Sequence, residues 1–297
     1  TVAMIVLLGL ILGALPLAAD QTGATESEEK AGPEKDGEKA LQPPTAWTRG
    51  FLEDQKDIWT APLKTRGKQW WILGGTVLGT LLLIRNDEAI YRGFKTFQKK
   101  NAWVDGLSPL VTRLGLGEYN LGIGAAFYLG GALFSDRRAR ETAGLILATY
   151  IHTGLIAQVG KHLFSRQRPS WDEGQDHWHG PSGFFERYKS GQLSRYDAFP
   201  SGHTISVMGT ATVISEMYRH RPWVGITAYT LAGLCGLSRV TEDTHWLSDV
   251  FLSTVLGVAV GKMMVRRHNR MGGVQIMPLL GGGRVGAQLI LPLGGRP

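Results

Sequence analysis

The chain has 297 residues, with 32 lysines and arginines against 25 acidic residues and a formal net charge of +7. Its single cysteine, Cys235, excludes an internal disulfide, and the scattered basic residues argue against a nucleic-acid-binding protein. The mean hydropathy of -0.06 is low for a protein with several membrane spans, although a polar N-terminal segment depresses it. A pI near 9.5 suits contact with anionic lipid surfaces.

The N-terminal part of the chain divides into two segments by composition. Residues 1–19 are apolar, which is typical of a signal peptide or an N-terminal membrane anchor. Residues 20–47 are rich in Glu, Lys, Gly and Pro and have almost no large apolar side chains, so we expect a disordered linker. A helical domain is predicted over 48–270. The Gly-rich tail over 271–297 has the pattern of a weak hairpin.

The predicted domain contains six apolar runs with helical length. They lie at about 70–84, 119–134, 142–160, 203–218, 222–238 and 246–264. This pattern predicts an all-α bundle of about six core helices. Most of the runs have about 15 to 19 residues, which is at the short end for crossing a bilayer.

Basic clusters indicate how the runs would be oriented in a membrane. The clusters at 137–140, 219–221 and 262–270 would share one side if the last five runs span, and by the positive-inside rule that side is cytoplasmic. The motifs described below would then face the periplasm or the exterior from the cytoplasmic membrane. A cleaved signal peptide conflicts with this topology. Three alternatives follow: the N-terminal segment is an extra span, the first run does not cross, or the domain is a soluble periplasmic bundle.

The first motif is Lys161-x6-Arg168-Pro169. A spacing of seven residues is two helical turns, so both cations can point at one anion from one helix face. The guanidinium of Arg168 offers a planar fork to two phosphate oxygens, whereas Lys161 is a compact point charge. Pro169 is expected to end the helix.

The second motif is Pro200-Ser201-Gly202-His203, and it has the pattern of a helix start. Ser201 is a favourable N-cap, and a helix N-terminus offers free N–H groups to a phosphate. Gly202 allows close approach of the backbone. His203 falls in the first turn, where it can protonate a leaving-group oxygen as a general acid.

The third motif is Ser238-Arg239-x5-His245-x3-Asp249. Its spacing predicts that His245 and Asp249 share a helix face, so the carboxylate would accept a hydrogen bond from one imidazole nitrogen and leave the other free to attack phosphorus. Arg239 is expected at the end of the preceding helix. The intervening acidic residues, Glu242 and Asp243, are interpreted as caps of the next helix rather than as groups that repel phosphate.

Together the three motifs resemble those of the type 2 phosphatidic acid phosphatase and vanadium haloperoxidase superfamily, in the same order and with the same internal spacings. The resemblance implies an all-helical fold and, for phosphatase members, catalysis without a metal or other cofactor. It also implies a role for each matching position. The phosphate-binding residues would be Lys161, Arg168, Ser201, Gly202 and Arg239, and the catalytic residues would be His245 as nucleophile, His203 as acid and Asp249 as the partner of His245.

Two features between the first and second motifs are open to interpretation. The aromatic segment 170–198 suits either a pocket wall or lid at a lipid-water boundary, or a packed surface loop. Its alternating pair His177 and His179 has no further ligands at metal-binding spacing, so a solvated loop is the preferred interpretation.

The sequence as a whole predicts a metal-independent phosphatase that acts on a lipid-linked phosphate or pyrophosphate at a membrane, with no nucleic-acid partner. Two enzymatic alternatives are a vanadate-dependent haloperoxidase and a soluble periplasmic acid phosphatase. A third alternative is a non-catalytic membrane scaffold. The lipid itself and the oligomeric state are not predicted.

Overall fold

The structure is a computed structural model that describes residues 44–171, 174, 176–192, 194–270, 275–281 and 284–290. The predicted signal or anchor segment over 1–19 and almost all of the predicted linker over 20–47 lie outside these residues. The described part contains nine α-helices. They are α1 (Pro44–Thr60), α2 (Gln69–Lys100), α3 (Trp103–Thr112), α4 (Gly117–Leu133), α5 (Arg137–Phe164), α6 (Gly180–Lys189), α7 (Gly202–Met217), α8 (Pro222–Thr241) and α9 (Leu247–Arg270).

The predicted all-α bundle is confirmed, and all six apolar runs fall in helices. The first run is part of a much longer helix, because α2 continues to Lys100. Helices α1, α3 and α6 were not predicted, since each is short or lacks a continuous apolar run. Helix α1 begins at Pro44, inside the last residues of the predicted linker. Three short 3-10 turns connect helices, at Ala61–Lys64, Arg113–Gly115 and Pro169–Trp171.

Helix α7 is the centre of the bundle. Its residues from Thr204 to Val213 are buried without interruption, and it packs against α5, α8 and α9. Helix α4 packs on α5, α3 on α8, and α2 on α9. Polar side chains on α7 are satisfied internally, because Thr212 donates to the carbonyl of Met208 at 2.7 Å and Thr210 to Asn120 at 2.8 Å. The second motif therefore lies at the start of a helix whose middle is continuously buried.

Two of the described helices, α5 and α9, are long and apolar enough to cross a membrane by length and composition. More than half of the apolar stretch of each is buried inside the bundle, as also occurs in the core helices of soluble proteins. The predicted C-terminal hairpin is present, with β1 (Gln275–Gly281) antiparallel to β2 (Arg284–Ile290) and Gly281 opposite Arg284.

The two ends of the bundle differ in chemistry. At one end, the basic clusters make ion pairs and hydrogen bonds with neighbouring helices, such as Arg138 with His220 at 3.0 Å and His268 with Glu141 at 3.3 Å. The end of α5, the start of α7 and the loop between α8 and α9 meet at the opposite end. All three motifs therefore lie together, away from the basic clusters.

Close packing between α7 and α9 depends on the absence of a side chain at Gly257. A Cβ there would lie 2.5 Å from the carbonyl oxygen of Ile205 and 2.8 Å from the Cβ of Met208. We therefore expect Gly257→Ala to overpack the interface and lower the free energy of unfolding by about 1–3 kcal/mol. Thermal unfolding of the full chain in detergent measures this change.

Gly233→Ala is the matched control, because a Cβ at this helical position of α8 meets nothing within 4 Å. It should leave the unfolding temperature unchanged or raise it, since alanine favours a helix over glycine by roughly 0.5–1 kcal/mol. Equal effects of the two substitutions would contradict the packing described here.

Candidate active site

The cations of the first motif converge, but not through a shared helix face. Helix α5 ends at Phe164, and Ser165 takes a left-handed conformation (φ 41°) that turns the chain out of the helix. Beyond it the backbone is extended, with the N–H of Gln167 bonded to the carbonyl of His177 and that of Arg168 to the carbonyl of Arg195. The prediction that Lys161 and Arg168 lie on one helix was therefore wrong, and Pro169 does not end the helix.

A carboxylate that the sequence analysis did not identify brings the two cations together. Asp197 accepts a hydrogen bond from Arg168 Nε at 2.6 Å on one oxygen and from Lys161 Nζ at 3.2 Å on the other. Burial alone would raise the pKa of Asp197, but Lys161 and Arg168 outweigh this effect and hold the pKa below its ordinary value. Asp197 is therefore ionised at neutral pH. It lies three positions before Pro200, but no pattern in the sequence singles it out.

The second motif forms the predicted helix start. The Ser201 side chain caps α7 by accepting from the N–H of Thr204 at 3.4 Å, and Ser201 is itself fully buried. Its N–H donates to the hydroxyl of Ser253 on α9 at 2.7 Å. A Cβ on Gly202 would lie 3.8 Å from Lys161 Nζ, so the helix N-terminus faces the first motif.

His203 lies in the first turn of α7 and is half-buried. A Cβ on Gly115 would lie 2.6 Å from the Cβ of His203, so the 3-10 turn before α4 packs directly against this histidine. His203 is within electrostatic reach of Arg239, His245 and Lys161. The two histidines and the cations of the motifs therefore share one site.

Arg239 lies near the end of α8, as predicted. Its guanidinium donates to Thr112 at 2.8 Å and to Glu242 at 2.9 Å, and only 6% of the residue is exposed. Its Nε has no hydrogen-bond acceptor within the part of the chain that the structure describes. Arg239 also acts electrostatically on Arg168 and Asp197. It can therefore add a free donor to the cation cluster.

The acidic residues before His245 do not cap α9, and that interpretation was wrong. Glu242 ends α8 and accepts from Arg239 and from Thr112. Asp243 has a positive φ of 59° and accepts from Tyr91 at 2.9 Å. Both carboxylates are therefore used as partners for donors on neighbouring helices.

His245 is almost completely buried (1% exposed) and lies in the loop before α9 rather than on the helix. Its Nδ1 is 2.6 Å from the carbonyl oxygen of Ala198. Because a carbonyl can only accept, Nδ1 carries the proton and Nε2 keeps its lone pair. Burial, followed by the charges of Arg168 and Arg239, lowers the pKa of His245 well below its ordinary value of 6.5. The imidazole is therefore neutral at neutral pH.

Asp249 does not make the predicted hydrogen bond to His245. Its carboxylate lies 3.8 Å from Nδ1, beyond hydrogen-bond distance, and accepts instead from the backbone N–H of Trp246 at 2.8 Å and from Arg166 at 2.5 Å. The reason is that His245 precedes the helix, so the four-residue spacing does not stack the two side chains. Asp249 contributes a nearby negative charge to His245, while the Ala198 carbonyl orients the ring.

The aromatic segment between the first two motifs is packed against the bundle rather than detached from it. Trp178 meets the rings of Phe164 and Phe199 edge-on, with centroids 6.2 and 5.2 Å away. The ring of His179 lies 4.2 Å from that of Tyr196. The interpretation of His177 and His179 as part of a solvated loop is therefore incomplete, since His179 packs against an aromatic ring.

Comparison with known proteins agrees with this geometry. A family model described as the PAP2 superfamily matches residues 142–272, which include all three motifs. The match begins in α5, so helices α1 to α4 lie before the matched residues.

One curated relative is similar to this chain over part of its length. A lipid A 1-phosphatase from Porphyromonas gingivalis is 27% identical over 192 residues, which are 63% of this chain and 36% of the relative. The chain thus spans about a third of the length of that relative.

Two solved structures resemble the chain. A PAP2-type phosphatidylglycerolphosphate phosphatase from Bacillus subtilis has a TM-score of 0.48 at 22% identity, covering 65% of this chain and 93% of that one. The structure of LpxE from Aquifex aeolicus has a TM-score of 0.42 at 17% identity, covering 58% and 93%.

A buried arginine joins the residues matched by the family model to helix α2, which lies earlier in the chain. Arg166 is fully buried and donates to Asp249 at 2.5 Å, to Ser248 at 2.7 Å and to Asp87 of α2 at 2.8 Å. Its guanidinium also lies 4.5 Å from the ring centre of Trp178. The sequence analysis missed Arg166 because this residue occupies one of the unspecified positions between Lys161 and Arg168 in the first motif.

Arg166 should therefore contribute strongly to stability. Arg166→Met would leave Asp87 and Asp249 buried together without a cation, and we expect the free energy of unfolding to fall by about 3–5 kcal/mol. Arg92→Met is the control, because Arg92 pairs with Glu88 on the surface, where such pairs contribute little. Equal unfolding temperatures for Arg166→Met and the wild type in detergent would contradict this role.

Proposed function

We propose that this chain is a metal-independent phosphatase that hydrolyses a phosphomonoester or pyrophosphate of a lipid substrate through a phosphohistidine intermediate. The observation that carries the proposal is the state of His245. The imidazole is buried, neutral and held by a hydrogen bond from Nδ1 to a carbonyl, and it lies within electrostatic reach of Arg168, Arg239 and Lys161. A lone pair on Nε2 is thereby kept available beside a cluster of fixed cations.

In the first step, the cations and the N-terminus of α7 bind the phosphoryl oxygens and stabilise the charge that spreads over them. The lone pair of His245 Nε2 attacks phosphorus while the bond to the leaving-group oxygen breaks. The charge of the bound phosphoryl dianion favours protonation of His203, which then gives its proton to that oxygen. The resulting phosphohistidine carries a positive ring, which the Asp249 charge 3.8 Å away and the Ala198 carbonyl stabilise.

In the second step, the now neutral His203 accepts a proton from a water molecule as that water attacks phosphorus. The P–N bond breaks, inorganic phosphate leaves, and both the neutral His245 and the protonated His203 are restored. The three cations take the place that a divalent metal occupies in other phosphoryl-transfer enzymes, so no cofactor is required by this mechanism.

A lipid substrate is supported by the exposed apolar surface of the bundle. Large apolar side chains are exposed on α2, α4 and α8, and on α5 they form a stripe with four-residue spacing. The residues are Trp70, Trp71, Leu78, Leu82, Leu121, Leu129, Leu133, Leu147, Ile151, Leu155, Trp223, Ile226, Leu231, Leu234 and Leu237. Such an extensive apolar surface fits contact with acyl chains better than contact with water. A relative named lipid A 1-phosphatase supports the same substrate class.

The proposed orientation of the site is supported by the different chemistry of the two ends of the bundle. Arg267 of α9 pairs with Asp54 of α1 at 2.5 Å, whereas Asp87 of α2 contacts Arg166 at the site. The chain therefore passes along α2 from the basic end toward the site, which favours α2 as a further crossing helix. With the basic end cytoplasmic, the site faces the periplasm or the exterior from the cytoplasmic membrane.

Phosphate release by the full chain in detergent tests the proposal. With EDTA present, wild type should release phosphate from one or more lipid phosphates in a panel, and His245→Ala should reduce this by several orders of magnitude because the nucleophile is absent. His220→Ala, at the basic end, is the matched control. Loss of activity with EDTA alone, or activity in His245→Ala, would contradict the mechanism. Oxidation of halide by peroxide that depends on vanadate, in the absence of ester hydrolysis, would also contradict the mechanism.

The role of His203 predicts a dependence on the leaving group. The leaving oxygen of an alkyl phosphate needs protonation, whereas the leaving group of p-nitrophenyl phosphate is p-nitrophenolate, which is stable without a proton. His203→Ala should therefore lower kcat/KM for an alkyl phosphate by about 10²–10⁴-fold and much less for p-nitrophenyl phosphate. Measurement of kcat/KM for both substrates, on one preparation each of wild type and His203→Ala, tests this prediction. An equal loss for both substrates would show that His203 is not the acid of the first step.

A further inference from the structure

The phosphate-binding cations already have an anionic partner in this structure. The two carboxylate oxygens of Asp197 are divided between Arg168 Nε and Lys161 Nζ, at 2.6 and 3.2 Å. All three side chains are largely buried, with 14 to 19% of each exposed. A carboxylate held by two cations in this way resembles the arrangement that two oxygens of a bound phosphoryl group would adopt.

Contacts of the residues that follow Asp197 fix its main chain. The next residue, Ala198, donates its N–H to the carbonyl of Arg166 at 3.0 Å and accepts from His245 through its own carbonyl. Ala198 and Phe199 are completely buried. Only the side chain of Asp197 can therefore move without disturbing the nucleophile, and rotation about its two side-chain bonds is enough to withdraw the carboxylate.

Asp197 also acts on the remaining charged groups of the site. It lies within electrostatic reach of Arg239 and His245 as well as of its two direct partners. The buried Nε of Arg239, which has no acceptor within the described residues, is by contrast an open donor.

We propose that Asp197 is a resting-state counter-ion that the phosphoryl group of the substrate displaces from Lys161 and Arg168. Asp197 thereby selects doubly charged phosphoryl groups. A phosphomonoester dianion brings two charges and three free oxygens, so it can replace a singly charged carboxylate with a net gain. A phosphodiester carries one charge and two free oxygens and gains nothing by the exchange. Asp197 is thus a specificity-determining residue for terminal phosphates, and this inference rests on the proposed function.

Binding of inorganic phosphate and of dimethyl phosphate, a singly charged diester, tests the proposal without turnover. Calorimetry on the full chain in detergent would compare wild type with Asp197→Asn, which keeps the shape but removes the charge. We expect Asp197→Asn to bind phosphate about tenfold more tightly and to gain measurable affinity for dimethyl phosphate. Without ligand, the same variant should unfold at a lower temperature, because Lys161 and Arg168 lose their counter-ion.

Asp243→Asn is the matched control, since Asp243 also pairs with a lysine, Lys95 at 2.9 Å, but does not contact Lys161 or Arg168. It should leave both affinities unchanged. Equal or weaker phosphate binding by Asp197→Asn would overturn the proposal and would make Asp197 a residue that only positions the cations. Asp197→Ser serves as a second variant if the first does not fold. If neither Asp197 variant folds, equal affinity of the wild type for inorganic phosphate and dimethyl phosphate would overturn the proposal.

The outcomes separate this inference from the phosphatase mechanism. If phosphate binding responds to Asp197→Asn as expected but wild type hydrolyses no ester, the counter-ion role stands and the proposed function fails. If wild type hydrolyses lipid phosphates but its phosphate affinity is not increased by the substitution, only the role of Asp197 fails.

Discussion

Gathering several cations at one buried end of a helical bundle is unfavourable unless each has a counter-charge, because like charges repel strongly where water is excluded. This chain meets the constraint with four carboxylates that come from different helices and loops. Asp197 pairs with both Lys161 and Arg168, Glu242 pairs with Arg239, and Asp87 and Asp249 share Arg166. The pairs differ in accessibility. The Arg166 pairs are completely buried, whereas those of Asp197 are partly exposed, so of these two the Asp197 pairs are the ones that can exchange their partner for a ligand.

The position of the proposed nucleophile depends more on backbone groups than on side chains. The carbonyl of Ala198 orients His245, and two N–H groups, of Thr244 and His245, donate to the carbonyl of Arg239. The nucleophile is thereby tied to the end of α8 and to the segment before α7 at once. Backbone carbonyls fixed by buried helices have little freedom, so they hold the ring more firmly than an aspartate with two rotatable bonds would.

The sequence was sufficient to predict the all-α bundle and six helices, because apolar runs are local patterns. The convergence of the three motifs was predicted from their shared chemistry and their resemblance to a known superfamily, not from local spacing. The sequence was insufficient where contacts join residues distant in the chain. The spacing of Lys161 and Arg168 suggested one helix, but Ser165 ends it in a left-handed conformation that many residues adopt only rarely. The spacing of His245 and Asp249 suggested a direct hydrogen bond, but α9 begins two residues after His245. The partners Asp87, Arg166 and Asp197 belong to no motif, and only the folded structure relates them.

Helix α9 explains how the second and third motifs keep their relative position. Asp249 bonds to the N–H of Trp246 at the start of the helix, and Ser253, one turn later, donates to the carbonyl of Asp249 at 2.7 Å while accepting from the N–H of Ser201. The first turns of α7 and α9 are therefore linked through a single hydroxyl. Since Arg166 holds the same Asp249 from the other side, a displacement of any one motif would disturb hydrogen bonds in the other two. The site is thus one connected unit.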